Sequence, residues 1–286
     1  MSILKIMVLA LVQGMAELLP VSSSAHVIVA EKLMGLDPTR PDLTMLLVML
    51  HTGTMVAVIL YFWSSWKENY FSSRRVFWNF TKRVAVATVL TGIVGLALKF
   101  LIEKIALKSV PNAEIEMIFG NLALIGIALG AAGVLIIYAG VRSERSVRPT
   151  RESLQGSSLI GVVQGLCLPF RGFSRSGATI SVGLMLGINK QRIEEFSFAL
   201  AVVLTPPVIA RELWRLLQAQ AALLPPGDSI FTLFFPSLLG MGISFIAGLL
   251  ALRWLSRWLE QGRWQYFGIY CLVASAVVLW LYKIGF

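Results

Sequence analysis

The stretch Gln13-Gly14-Met15-Ala16-Glu17-Leu18-Leu19-Pro20-Val21-Ser22-Ser23-Ser24-Ala25-His26 puts an acid, three hydroxyls and an imidazole into an otherwise apolar segment. Pro20 and the serine run interrupt what would otherwise be one long helix. The two halves, read as helices over 3–18 and 22–35, are each shorter than the about 20 residues needed to cross ~30 Å of hydrocarbon. Non-helical backbone at that depth survives only inside protein or beside a water-filled cavity. The segment therefore reads as a re-entrant helical hairpin, closed by a turn at Asp37, Pro38 and Pro41.

About 150 residues further on the design returns, as Gln164-Gly165-Leu166-Cys167-Leu168-Pro169-Phe170-Arg171-Gly172-Phe173-Ser174-Arg175-Ser176-Gly177-Ala178-Thr179. Residues 158–188 are again apolar and broken, here at Pro169–Gly172. Three long apolar runs follow each broken segment, at about 43–66, 84–107 and 117–141, then at about 193–215, 230–254 and 265–285. The chain is 57% hydrophobic and 14% charged, against roughly 45–50% and about 25% in soluble domains. The fold expected is an all-α polytopic membrane protein, six transmembrane helices plus two re-entrant hairpins. Residues 1–286 form one membrane domain, with 1–141 as a first repeat and 158–286 as a second.

The net charge of +10 would suggest nucleic acid in a soluble protein. Here nucleic acid is excluded, because basic residues gather in the cytoplasmic loops of membrane proteins. Lys67, Arg74, Arg75, Lys82 and Arg83 mark segment 67–83 as cytoplasmic; Arg142, Arg145, Arg148 and Arg151 mark 142–157; Arg253, Arg257 and Arg263 mark 253–264. The loop near 108–116, where Glu114 and Glu116 offset Lys108, faces the other side. With three spans per half, the second repeat lies upside down relative to the first, and the site is expected at mid-membrane where the broken elements meet. Cys167 and Cys271 sit in apolar runs and read as small buried hydrophobes.

Gln13 and Glu17 are four apart and share a helix face. Ser23 and His26, three apart, share one if 22–35 is helical. A carboxylate inside a membrane is by default a functional-site candidate; the alternative is an ion pair with a distant arginine that only holds helices together. Ser22–Ser24 are either reactive hydroxyls or a helix N-cap. His26 is either a catalyst or a satisfied buried imidazole. In the second stretch Gly172 and Gly177 free the backbone to turn, Ser174 and Ser176 offer hydroxyls, and Arg175 offers a planar fork suited to phosphate. N–H groups near Gly177–Thr179 would add an anion site. The alternative for Arg175 is a charge that snorkels to the headgroups.

These two stretches closely resemble the signature regions of the undecaprenyl-diphosphate phosphatase, or bacitracin-resistance, family. One signature is a pair of acids four apart followed by Leu-Pro-Val-Ser-Ser and a histidine; the other is Pro-Gly-x-Ser-Arg-Ser-Gly-Ala-Thr. They stand here as Gln13 to His26 and Arg171 to Thr179, and the similarity runs on through Glu195-Phe196-Ser197. The resemblance implies removal of the terminal phosphate of a polyprenyl diphosphate in the bacterial cytoplasmic (inner) membrane, with the site opening to the periplasm. It also implies a divalent cation, Mg²⁺ or Ca²⁺, with Glu17 either helping to hold it, beside Gln13 in place of the second acid, or acting as a base. Ser23 would be the nucleophile and His26 its base or a leaving-group acid. Arg175, Ser174, Ser176 and Thr179, with Ser22, Ser24 and Arg171, would hold the phosphates. Gln13 for an acid and Arg171 for a proline lower the expected cation affinity and add positive field; His51 stands where an amide is common.

The lipid substrate and the bilayer are the expected partners, and a homodimer is allowed. A polyprenyl-phosphate transporter or flippase using the same clamp is the alternative, but it would not need Ser23 and His26. Another lipid-phosphatase class is excluded, because no histidine follows Arg175. In the inverted arrangement both termini lie outside. Cysteine labelling from outside is expected to modify Pro111→Cys and to spare Arg145→Cys; the opposite pattern would rule the arrangement out.

Overall fold

The structure is a computed structural model that describes residues 1–37, 41–106, 108, 115–144, 153–223 and 230–286. Those residues form ten α-helices and no strand. The first two are short, α1 (Ile3–Leu18) and α2 (Ser23–Leu33); α3 (Pro41–Tyr70), α4 (Arg74–Leu101) and α5 (Leu122–Glu144) are long. Two short helices return in α6 (Leu154–Cys167) and α7 (Arg175–Met185), followed by α8 (Lys190–Leu223), α9 (Ile230–Glu260) and α10 (Trp264–Lys283). A π-helical turn at Ile102–Ala106 and a 3₁₀ turn at Ile115–Ile118 lie between α4 and α5. The six long helices are long and apolar enough to cross a membrane, so this is a multi-pass membrane protein.

The basic segments are shorter as loops than the charge pattern implied. Only residues 71–73 separate α3 from α4, and only 261–263 separate α9 from α10. Arg74, Arg75, Lys82 and Arg83 ride on α4, while Arg253 and Arg257 ride on α9. Lysine and arginine are good helix formers, so a helix carries them past its apolar core without ending. Ser73 starts α4 by accepting a hydrogen bond from the Val76 amide at 3.3 Å. Pro41, expected in a turn, is the first residue of α3, the position where a missing N–H costs nothing. α5 runs to Glu144, and α6 begins at Leu154, capped by Ser153. Pro38, Pro111, Arg145, Arg148 and Arg151 lie outside the described residues.

α1 packs on α9, α6 on α4, α5 on α10, and α3 on both α8 and α9. α4 is peripheral, with 11% of its span buried against 50% for α3, α5 and α8. The two Gln-Gly dipeptides each mark a close contact of this kind. A Cβ at Gly14 would stand 2.7 Å from Ser244 O on α9, and one at Gly165 would stand 2.9 Å from Thr91 O on α4. Gln164, buried, donates to Thr91 Oγ1 at 3.0 Å and locks α6 to α4. Cys167 and Cys271 are free and buried.

Gly165→Ala should force α6 off α4 and lower the apparent Tm in detergent, on the scale of overpacking, about 1–3 kcal/mol. Gly92→Ala, where a Cβ meets nothing within 4 Å, is the control and should leave Tm unchanged. Equal Tm for both variants would contradict the close approach.

Candidate active site

The junction between α1 and α2 faces the junction between α6 and α7. Pro20 cannot extend α1, and the chain turns through Ser22, whose φ of 67° lies in the left-handed region, strained for a residue other than glycine. Across from it Gly172, φ 106°, lets the backbone double back before Ser174 caps α7 by accepting from the Gly177 amide at 3.1 Å. A polar cavity of about 260 Å³ lies between the junctions, lined by Glu17, Ser22, Ser23, Ser24, Arg171, Ser174, Arg175 and Ser176 among others. Two guanidiniums meet one carboxylate there, so the cavity suits an anion.

Glu17 is the hub. Arg175 Nη2 reaches its Oε1 at 3.3 Å, so Arg175 turns inward rather than to the headgroups. Its Oε2 accepts from Ser23 Oγ at 2.6 Å and from Gln13 Nε2 at 3.1 Å. Among the residues lining this cavity, two buried polar atoms have no partner, Arg175 Nη1 and Ser22 Oγ. Buried polar atoms are nearly always hydrogen-bonded, and exceptions point to function. Here both belong to residues lining the same cavity.

Other residues lie differently from what their spacing suggested. His26 turns away from Ser23: its Nδ1 is 2.8 Å from Ser22 O, and its Nε2 2.8 Å from Tyr270 Oη on α10. Thr179 is fully buried and pairs with Ser197 Oγ at 2.6 Å, pinning α7 to α8 outside the cavity. The Gly177 amide is taken by Ser174 Oγ and the Ala178 amide by Ser174 O, so the first is a cap, not an open anion site. Ser176 Oγ reaches Leu19 O at 3.4 Å and ties the two junctions together. Arg171 stacks over Phe119, 4.5 Å from the ring centroid.

His51 is the residue that spacing missed. It stands on α3, 2.9 Å from Gln13 Nε2 and 3.8 Å from Glu17 Oε2. The signal was its chemistry, one of only two histidines in the chain, placed mid-way along an apolar run.

The model of the family described as bacitracin resistance protein BacA matches residues 6–277. The chain belongs to this family. Among BacA relatives, the Acinetobacter baylyi protein named undecaprenyl-diphosphatase 2 is 57% identical, over 98% of both chains. A Burkholderia ambifaria protein of the same name is 32% identical over 98% of this chain and 96% of its own. The Thermus thermophilus undecaprenyl-diphosphatase is 31% identical over 95% and 94%. The BacA match spans both junctions and every residue of the site.

Removing either partner of the Glu17–Arg175 pair should destabilise the fold. Glu17→Gln and Arg175→Met are each expected to cost about 1.5–3 kcal/mol, the scale of hydrogen bonds to charged groups. The double variant should recover part of that loss. Apparent Tm values in detergent for the four proteins test it; simple additivity would mean the pair is not coupled.

Proposed function

We propose that this protein hydrolyses undecaprenyl diphosphate to undecaprenyl phosphate and inorganic phosphate, recycling the lipid carrier for cell-wall synthesis in the bacterial inner membrane. The observation that carries the reading is the Ser23–Glu17 hydrogen bond of 2.6 Å beside the unpartnered Arg175 Nη1. It puts a nucleophile, a base and an anion clamp at one point. Membership of the BacA family and 57% identity to a protein named undecaprenyl-diphosphatase 2 point to the same reaction.

The terminal phosphate lies against Arg175, Ser22 and Ser24. Arg175 keeps Nη2 on Glu17 and offers Nη1 to a phosphate oxygen. Ser23 Oγ gives its proton to Glu17 Oε2 and forms a bond to the terminal phosphorus, while the bond from that phosphorus to the bridging oxygen breaks. The leaving group is undecaprenyl phosphate, and water then releases phosphate from Ser23. Glu17, not His26, is the base in hydrogen-bond reach of Ser23; His26, held by Tyr270, borders the route of the lipid. Phosphoryl transfer is mostly positioning and charge stabilisation, and paired guanidiniums in a partly enclosed cavity supply both. Glu17, and Gln13 with its amide turned so that the oxygen faces Glu17, would hold a divalent cation. When bound, it would add Lewis-acid stabilisation of the phosphoryl oxygens.

An apolar cavity of about 460 Å³, lined by Leu11, Met15, Trp254, Trp258 and Tyr270 among others, borders the polar one across Ala16 and Leu19. We assign it to the first units of the prenyl chain. The packing also supports an inverted repeat with two re-entrant hairpins: α1 on α9 mirrors α6 on α4, and α5 meets α10 across the pseudo-axis. The charged helix ends then favour the reading in which both termini and the opening of the site are periplasmic. A flippase would have no use for a serine bonded to a carboxylate.

Phosphate release from purified protein with a C55 diphosphate tests the reading. Ser23→Ala should lose at least about 100-fold in turnover, the scale for one transition-state donor. Wild-type-like release by Ser23→Ala would replace the serine with a water nucleophile. No release by the wild-type protein, with or without Mg²⁺, would overturn hydrolysis itself.

A further inference from the structure

Gln13 and His51 touch the hub, yet the serine route leaves His51 without a task. Gln13 Nε2 lies 3.1 Å from Glu17 Oε2 and 2.9 Å from His51 Nδ1. An amide nitrogen only donates, so the imidazole nitrogen facing it presents a lone pair. The Glu17 carboxylate, paired with Arg175, presents lone pairs from the other side. Turning the Gln13 amide over replaces Nε2 by the carbonyl oxygen at the same place. Three donors then stand at mutual separations of 2.9, 3.1 and 3.8 Å. Ligands about 2.0–2.2 Å from one ion sit at such separations, so the triangle closes on a cation with side-chain adjustment alone.

We infer that Glu17, Gln13 and His51 form a mixed nitrogen–oxygen site for a divalent cation, with His51 as its nitrogen ligand. Mg²⁺ and Ca²⁺ favour hard, charged oxygens. A glutamine in place of an acid and an imidazole in place of an amide favour borderline ions instead, Mn²⁺ or Co²⁺ over Mg²⁺. Arg175 takes Oε1, while Ser23 and Gln13 both donate to Oε2; turning the Gln13 amide over releases the lone pair it occupied, and that lone pair faces the ion beside the Ser23 hydrogen bond. Among the described residues no three His, Cys, Asp or Glu side chains converge; substrate oxygens have to complete the shell. They have access through a cavity of about 620 Å³ lined by Gln13, Ser23, Ser24 and His51 among others.

The inference rests on the cation reading above, and its test separates the two. Purified, chelator-treated protein in detergent is titrated with Mn²⁺ and examined by pulsed electron paramagnetic resonance for ¹⁴N modulation. The chain has two histidines, so His26→Gln and His51→Gln account for every imidazole. Modulation is expected in the wild type and in His26→Gln. His51→Gln should lose it and need at least about 10-fold more Mn²⁺ for half-saturation, in line with losing one ligand. Bound Mn²⁺ without modulation in the wild type removes His51 as a ligand and leaves the cation reading standing. No bound Mn²⁺ beside undiminished phosphate release in EDTA removes both, while hydrolysis stands. Because the wild-type spectrum alone decides the nitrogen ligand, misfolding of a variant does not protect the proposal.

Discussion

A carboxylate in the interior of a membrane protein has to be neutralised, and for Glu17 this is done by Arg175 at 3.3 Å, from the opposite half of the chain. That single ion pair explains why two helices that stop short of a full span are stable where they are. Each broken segment contributes one charge that would be costly alone. Together they bring the α1–α2 and α6–α7 junctions face to face, and Ser176 Oγ to Leu19 O adds a neutral tie beside them. The long helices supply the frame: α9 behind α1, α4 behind α6, α10 behind α5.

The pair also sets the chemistry. Because Arg175 spends only one of its terminal nitrogens on Glu17, the other stays buried and unpartnered at the cavity. Glu17 likewise divides its oxygens, one to the guanidinium and one to Ser23 and Gln13. One ion pair thus joins the two junctions and sets a carboxylate-bound serine and an unpartnered guanidinium nitrogen in a fixed relation. Such preorganisation is the main resource for a reaction with little covalent demand on the protein.

The broken helices were legible because Pro20 and Pro169 sit in apolar runs too short to span on either side, a local property. So was the meeting of Gln13 with Glu17, which helix geometry alone dictates. Loop sizes were not legible: arginine and lysine mark the water-facing side but do not end a helix, so α4 and α9 run on through them. Side-chain direction was the other blind spot. Spacing put His26 with Ser23, but Tyr270, more than 200 residues away in sequence, draws the ring elsewhere. Ser197 does the same to Thr179, and His51 enters the cluster only because α3 packs beside α1. Each depends on a partner in another helix, which no local pattern encodes.

The duplicated Gln-Gly dipeptides show how alike beginnings diverge under different restraints. Both glycines permit close helix contact, so both tolerate little change. The glutamines, both buried, differ in partner: Gln164 ends on the Thr91 hydroxyl of a neighbouring helix, whereas Gln13 ends on Glu17 and His51 at the lining of a cavity. A substitution at 164 is felt by every molecule as lost packing, whatever it is asked to bind. One at 13 acts in addition on the acid and the imidazole at the cavity. Change at position 164 therefore reaches only the frame, while change at 13 reaches the side chains that give the cavity its charge.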